Sequence, residues 1–208
     1  LNLNAKSPHP AFAVAENWAR LRVALADHLT ERARMGQTSK LIEIVSLCDI
    51  KYDRAVAQKK QYNLNTASTY PNIEAMLAGV AFDIMLTLTD MQVHGELNKK
   101  ALMAGKNVWS EKPMANSYAE GKALLALAKS KNLRIWGAPA VVNSPQFAFM
   151  SKTIQEGKLG RVASAHGQYG HTGPSWSAFF YEKGGGSMPD LGVYNMATLT
   201  GLDRKSVV

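Results

Sequence analysis

Short β-branched apolar runs alternate with segments of helical spacing from residue 42 to residue 137. The runs at residues 42–48, 82–88, 107–110 and 133–136 have the length and composition of buried strands. Strands that alternate with helices form βαβ units, and their right-handed crossovers place the strands parallel in one sheet. The pattern therefore predicts an α/β fold with a doubly wound parallel sheet.

The segments between these strands are predicted helices at residues 53–60, 73–79, 93–105 and 117–128. Ser117 and Glu120 have the spacing of a capping box at the start of the last one. After Gly137 the pattern changes, and we predict a first domain of residues 1–138 and a second of residues 139–208. In the second domain we predict helices at 144–157 and 189–202 and a strand at 161–169.

Composition limits the classes of protein to which this chain can belong. No apolar run approaches the roughly 20 residues of a membrane span, and Leu1 is not followed by a basic-then-apolar leader. The single cysteine, Cys48, lies in an apolar run and fits a reducing compartment. We therefore predict a cytoplasmic protein that has neither a membrane-spanning segment nor a disulfide framework. The net charge is +8, but the basic residues are scattered, so no nucleic-acid partner is predicted.

Three segments occur in a distinctive order: residues 89–94 (TDMQVH), 104–113 (AGKNVWSEKP) and 184–194 (GGGSMPDLGVY). Together they resemble the Gfo/Idh/MocA family of nicotinamide-dependent sugar and polyol oxidoreductases, of the glucose–fructose oxidoreductase and inositol dehydrogenase type. The resemblance covers about residues 41–202. It implies a Rossmann-like dinucleotide-binding domain over residues 1–138. Residues 139–208 would begin a partial α+β domain for substrate binding and oligomerisation.

The resemblance implies an NAD(P)-dependent oxidoreductase that transfers a hydride between nicotinamide and a sugar, polyol or related hydroxylated substrate. Oxidation of an alcohol needs a group that accepts the hydroxyl proton, and a lysine can be tuned for that task. Lys112 follows a predicted strand, at the edge where ligands bind in open α/β sheets. The family has a cis peptide at the proline that corresponds to Pro113, and this bond sets the lysine near the nicotinamide. The alternative for Lys112 is an exposed turn lysine.

Asp190 and Tyr194 are four residues apart, so a helix would place them on one face. The resemblance implies that Tyr194 shares proton transfer with Lys112 and that Asp190 orients the substrate hydroxyls. The alternative is a core tyrosine preceded by a capping aspartate.

Several residues are candidates for cofactor contacts. Asp49 ends the predicted strand 42–48, where a carboxylate would bind the adenosine ribose hydroxyls. This favours NAD, although the nearby Lys51 leaves NADP open. The resemblance adds positions around the ribose and nicotinamide: Thr89, His94, Glu111, Lys112 and Asn143. His94 could equally be a packing histidine, and no metal site is predicted.

The first 40 residues depart from the family pattern. Residues 14–35 have helical spacing, but residues 21–25 (LRVAL) also read as a short buried strand. No glycine occurs between residues 1 and 35, although the family binds the pyrophosphate with a G-x-G-x-x-G loop. Either this segment is not the native first βα unit, or pyrophosphate binding has been lost. The alternative function is therefore a non-catalytic relative or fragment that keeps the scaffold.

The chain also looks incomplete at both ends when it is set beside the family. Members continue into a large open sheet that supports the substrate pocket and commonly the oligomer interface, whereas this sequence stops at Val208. We therefore expect a family-type homo-oligomer to lack its usual interface sheet.

Overall fold

A computed structural model describes residues 21–26, 42–138, 140–170, 172–175 and 178–202. The chain divides into two compact units, one that ends at Trp136 and one that begins at Gly137. No helix among the described residues is long and apolar enough to cross a membrane.

The first unit is built on a six-stranded sheet with the order β3-β2-β1-β4-β5-β6. Its strands are β1 (Leu21–Ala26), β2 (Ile42–Cys48), β3 (Ser68–Tyr70), β4 (Ile84–Thr87), β5 (Asn107–Ser110) and β6 (Ile135–Gly137). The pairs β1–β2, β1–β4, β2–β3 and β4–β5 are parallel. This confirms the predicted Rossmann-like parallel sheet, and the strand order reverses between β1 and β4.

Strand β1 settles the conflict between helix and strand for residues 21–25. It lies between β2 and β4, with Val23 opposite both Ile44 and Ile84. The helical prediction is therefore wrong for this segment, because two flanking strands provide backbone hydrogen bonds that a local pattern does not reveal. The rest of the predicted helix at 14–35 lies outside the described residues.

The four predicted helices of the first unit are confirmed, with ends shifted by a few residues. They are α1 (Tyr52–Gln61), α2 (Ile73–Ala78), α3 (His94–Met103) and α4 (Tyr118–Ser130). The Ser117 hydroxyl caps α4 by accepting the Glu120 N–H at 3.2 Å. The Glu120 carboxylate accepts the N–H of Asn116 at 2.7 Å, so one side chain fixes the backbone just before the helix.

Two hydrophobic clusters pack around the sheet. The larger joins helices α2, α3 and α4 to the strands through Met76, Met85, Leu102, Val108 and Leu124. The smaller includes Leu47 of β2 and Ala55 of α1. Helices take part in both clusters, so the sheet is held by packing against helices, and ligands of such folds bind at the carboxyl ends of the strands.

The regular secondary structure in the described part of the second unit, after the end of β6, is helical. It has a short 3₁₀ helix (Ala140–Asn143), α5 (Pro145–Gln155), a second 3₁₀ helix (Ala178–Tyr181), and a π-helical turn (Met188–Gly192) that continues into α6 (Val193–Leu202). The Ser144 hydroxyl accepts the Phe147 N–H at 3.1 Å and caps α5, as its sequence predicts.

The predicted strand at residues 161–169 is wrong. The segment has no strand pairing, and residues 161–170 are exposed. A strand requires a neighbour for its N–H and C=O groups, and the described residues provide none for this segment. The strand component of the predicted α+β second domain is therefore absent from the described part of that unit.

Candidate functional site

The candidate site of the first unit lies at the carboxyl edge of the parallel sheet. Asp49 follows β2, Thr89 lies two residues beyond β4, and Glu111 follows β5. Parallel strands end at the same edge, so the fold gathers residues that are distant in sequence. Sequence reasoning anticipated this edge from the strand boundaries.

Asp49 is held in a defined position. It is 4% exposed, and its carboxylate accepts the Lys51 N–H at 2.7 Å. Its own N–H donates to the Tyr70 carbonyl at 3.3 Å, which ties it to the end of β3. Cys48, the preceding residue, lies opposite Ala26 of β1. The carboxylate therefore lies beside the end of β1, where an adenosine ribose is expected in this fold.

The segment after β5 holds the candidate proton-transfer lysine. The N–H of Glu111 donates to the Thr87 carbonyl at 2.8 Å, which continues the β4–β5 pairing by one residue. The Glu111 carboxylate accepts the N–H of Lys112 at 3.1 Å. The Lys112–Pro113 peptide bond is cis, which confirms the bond expected from the family resemblance. Lys112 itself is half-buried.

The loop between β4 and α3 contains Thr89 and leads to His94. Thr89 is half-buried, and its hydroxyl donates to the Asp90 carbonyl at 3.3 Å. His94 is 1% exposed, with Nε2 at 2.8 Å from the Thr89 carbonyl and Nδ1 at 2.8 Å from the Pro113 carbonyl. Because both ring nitrogens already contact backbone oxygens, the geometry favours an indirect role for His94 over direct contact with a cofactor.

Sequence reasoning missed a buried polar group beneath these loops. Thr87, Asn98 and Ser110 are all 0% exposed. The Thr87 hydroxyl donates to Asn98 Oδ1 at 2.7 Å, and Asn98 Nδ2 donates to Ser110 Oγ at 3.0 Å and to the Met114 carbonyl at 2.9 Å. The signal available in the sequence was the four-residue spacing of His94 and Asn98, which places both on one face of α3.

The second unit contains Asp190 and Tyr194 on consecutive helical turns. Asp190 is buried in the π-helical turn, and its N–H donates to the Gly186 carbonyl at 3.1 Å. Tyr194 is half-buried in α6, and its ring stacks on Tyr169 with centroids 5.3 Å apart. Asn143 is exposed at the end of the first 3₁₀ helix of this unit.

One glycine of the run before Asp190 is required by close approach. A Cβ atom at Gly185 would clash with the Phe179 carbonyl oxygen. Since that neighbour is backbone, it cannot rotate away, and a larger residue would displace the turn that leads to Asp190.

Two places at the carboxyl edge could contact a dinucleotide. Asp49 could accept hydrogen bonds from ribose hydroxyls, and Thr89, Glu111 and Lys112 follow the ends of β4 and β5. Residues 27–41, which follow β1, lie outside the described residues. No group of three His, Cys, Asp or Glu side chains in the described part of the chain could hold a metal ion.

A sequence model of an oxidoreductase family with an NAD-binding Rossmann fold, Gfo/Idh/MocA, matches residues 25–138. The chain belongs to the Gfo/Idh/MocA family. A model of a Gfo/Idh/MocA C-terminal domain also matches residues 147–202. Family membership agrees with the strand order, the buried carboxylate after β2 and the cis peptide bond after β5.

Individual relatives of this Gfo/Idh/MocA chain include named and unnamed oxidoreductases. An uncharacterised oxidoreductase of Schizosaccharomyces pombe is 37% identical over 97 residues, covering 45% of this chain and 25% of the relative. A dTDP-3,4-didehydro-2,6-dideoxy-α-D-glucose 3-reductase of Actinomadura kijaniata is 24% identical over 160 residues, covering 76% of this chain and 47% of the relative. The chain thus spans less than half of the length of either relative.

A solved structure supports the fold. The structure of GenD2 from gentamicin A biosynthesis, in complex with NAD, superimposes with a TM-score of 0.75 and 19% identity. The superposition covers 88% of this chain and 53% of GenD2. At that identity the likeness concerns the fold alone.

Proposed function

We propose that this chain provides the cofactor domain and the proton-transfer residues of an NAD(P)-dependent oxidoreductase. Its substrate would be a sugar, a polyol or a related hydroxylated compound. The observation that supports this most is the placement of the buried Asp49 and the half-buried Lys112 at one carboxyl edge of the sheet. The two groups have different tasks, since one would hold a ribose and the other a reacting hydroxyl.

The proposed roles follow from the chemistry of alcohol oxidation. In alcohol oxidation a hydride leaves the carbon, and a bound nicotinamide would supply the acceptor for it. The hydroxyl proton must leave at the same time, and Lys112 in its neutral form would accept it at Nζ. The phenol of Tyr194 is proposed as a second proton-transfer group, and Asp190 would accept hydrogen bonds from neighbouring substrate hydroxyls. In the reverse direction Lys112 returns the proton to the carbonyl oxygen.

Cofactor contacts are proposed on the same edge. The Asp49 carboxylate would accept hydrogen bonds from both hydroxyls of the adenosine ribose and repel a 2′-phosphate. This favours NAD as the cofactor, although the positive charge of the nearby Lys51 leaves NADP as an alternative. Thr89, Glu111 and Asn143 would contact the nicotinamide ribose and ring.

The substrate class is supported by the relatives. The Actinomadura kijaniata relative is named as a reductase of a deoxysugar nucleotide. Sugars and polyols share adjacent hydroxyl groups, which suit a carboxylate such as Asp190 and a proton acceptor such as Lys112. A cytoplasmic location and a homo-oligomer stay predictions.

The second candidate function is a non-catalytic relative that keeps the scaffold. The observation in its favour is the absence of glycine from residues 1–35, where Asp27 and Glu31 would repel a pyrophosphate. Titration of the 208-residue chain with NADH, followed by nicotinamide fluorescence, separates the two candidates. Saturable binding supports the oxidoreductase, and its absence supports the non-catalytic relative.

Turnover tests the role of Lys112. The chain is assayed with NAD or NADP and a panel of aldoses, polyols and nucleotide-linked sugars, through absorbance of the reduced nicotinamide. We expect Lys112→Ala to lower kcat by about 10²- to 10⁴-fold, the usual contribution of a positioned acid–base group. Lys122→Ala removes an exposed lysine of α4 and serves as the control. Equal rates for Lys112→Ala and the unaltered chain would contradict the assignment.

A further inference from the structure

Four buried side chains form what we name the polar clamp: Thr87, His94, Asn98 and Ser110. They come from the ends of β4 and β5 and from the first turns of α3. Burial of a polar side chain costs free energy unless the side chain is hydrogen-bonded, so each member of this group requires partners in the fold.

Asn98 is the centre of the polar clamp. Its amide oxygen accepts the Thr87 hydroxyl, and its amide nitrogen donates to Ser110 Oγ and to the Met114 carbonyl. Both amide protons are therefore used. Ser110 in turn donates to the Glu111 carbonyl at 2.8 Å. Asn98 thus connects β4 to both sides of the segment that contains Lys112.

His94 lies one turn before Asn98 and completes the connection. It contacts the carbonyl of Pro113 on one side and that of Thr89 on the other. A carbonyl only accepts, so the ring nitrogen that carries the proton donates to the carbonyl that it faces. Through His94 the loop after β4 and the loop after β5 are fixed to one another.

We propose that the polar clamp positions the segment 111–114, and Lys112 within it, with Asn98 as its central positioning residue. The contacts of the polar clamp end on three backbone carbonyls that flank Lys112, those of Glu111, Pro113 and Met114. The inference rests on the proposed oxidoreductase function, because positioning matters when Lys112 reacts.

The test compares two asparagines of the same unit. Asn98→Leu removes every bond of the amide at nearly constant volume. Asn107→Leu is the matched control, because its amide also bonds backbone, to the Asp83 carbonyl at 3.2 Å and the Arg134 N–H at 2.9 Å. Asn107 opens β5 and so lies at the amino edge of the sheet, away from Lys112.

Hydrogen–deuterium exchange of the 208-residue chain gives a readout without turnover. In Asn98→Leu we expect peptide 111–117 to exchange at least about tenfold faster, while peptides of β2 and α1 keep their rates. In Asn107→Leu peptide 111–117 should keep its rate. If Asn98→Leu fails to fold, Thr87→Val replaces it and Thr87→Ser should restore slow exchange. Unchanged exchange of peptide 111–117 in the folded variant overturns the proposal.

Kinetics separate this inference from the proposed function. With a substrate that the chain turns over, Asn98→Leu should lower kcat about 10- to 100-fold, because a displacement of about 1 Å costs that much. The dissociation constant of NADH should change by less than about threefold, since the loss concerns the reacting geometry. If the chain binds no NADH but Asn98→Leu speeds the exchange of peptide 111–117, the positioning role of the polar clamp is supported and the oxidoreductase function is contradicted. If a folded Asn98→Leu variant has a normal kcat, the positioning role of the polar clamp is contradicted and the oxidoreductase function is retained.

Discussion

Replacement of Asp49 by asparagine tests whether the carboxylate after β2 selects the cofactor. Asp49→Asn keeps the shape of the side chain but removes its charge and one acceptor. The Lys51 N–H occupies one carboxylate oxygen, which leaves lone pairs on both oxygens for ribose hydroxyls. Because the group is 4% exposed, water would replace lost hydrogen bonds poorly.

The size of the effect follows from the hydrogen bonds that are lost. A hydrogen bond to a charged group contributes about 1.5–3 kcal/mol. This corresponds to about a 10- to 150-fold rise in the dissociation constant of NADH. NADPH should lose little or gain affinity, because the charge that repels its 2′-phosphate is removed. The ratio of the two dissociation constants should therefore shift toward NADPH by at least about tenfold.

Fluorescence titration with NADH and NADPH measures both constants on the same protein. Asp83→Asn is the control, because this exposed aspartate precedes β4 at the amino edge of the sheet and the change of charge is the same. Equal weakening of NADH and NADPH in Asp49→Asn would show a structural defect. Unchanged NADH affinity would show that Asp49 does not bind the ribose.

Two further predictions concern stability. Leu102→Ala leaves a cavity at a fully buried position of the larger cluster and should lower the free energy of unfolding in urea by about 2–5 kcal/mol. Leu125→Ala, on the exposed face of α4, should change the free energy of unfolding by less than about 0.5 kcal/mol. A similar loss in both variants would contradict the packing. Lys100 pairs with Glu74 at 2.9 Å, and the hydrogen bond from Lys100 lowers the pKa of Glu74 below 4.5. A lowered pKa in the folded state stabilises the protein above pH 4.5, and this contribution disappears as the pH falls through the folded-state pKa. Lys100→Met should thus lower the urea midpoint slightly at pH 7 and by less at pH 3, an effect that 1 M salt should weaken. A midpoint difference that is the same at both pH values would contradict the ion pair.

Local sequence was sufficient to predict a strand or a helix cap where the residue pattern is compatible with a single conformation. The run 42–48 is confirmed as β2 because seven mainly apolar residues that end at a carboxylate fit a buried parallel strand. The caps at Ser117 and Ser144 are confirmed because each hydroxyl needs only the N–H three residues later. The cis bond before Pro113 agreed with a family resemblance and not with a local rule.

Local sequence failed where a partner distant in the chain decides the conformation. Residues 21–26 fit a helix by spacing, but pairing with β2 and β4 makes them a strand. Residues 161–169 fit a strand by composition, but the described residues offer them no neighbouring strand. Strand formation depends on hydrogen bonds to a neighbouring strand. Residues 21–26 have such neighbours, and residues 161–169 have none among the described residues.

Apolar periodicity and chain connectivity are sufficient to predict the alternation of strands and helices, the parallel sheet and the residues that end its strands. They do not predict that Thr87, His94, Asn98 and Ser110 meet beneath the segment that contains Lys112, which is visible in the folded chain alone. Their meeting depends on how α3 packs against β4 and β5. A buried asparagine gives no local sign of the three partners that satisfy it, because they come from other elements of the fold.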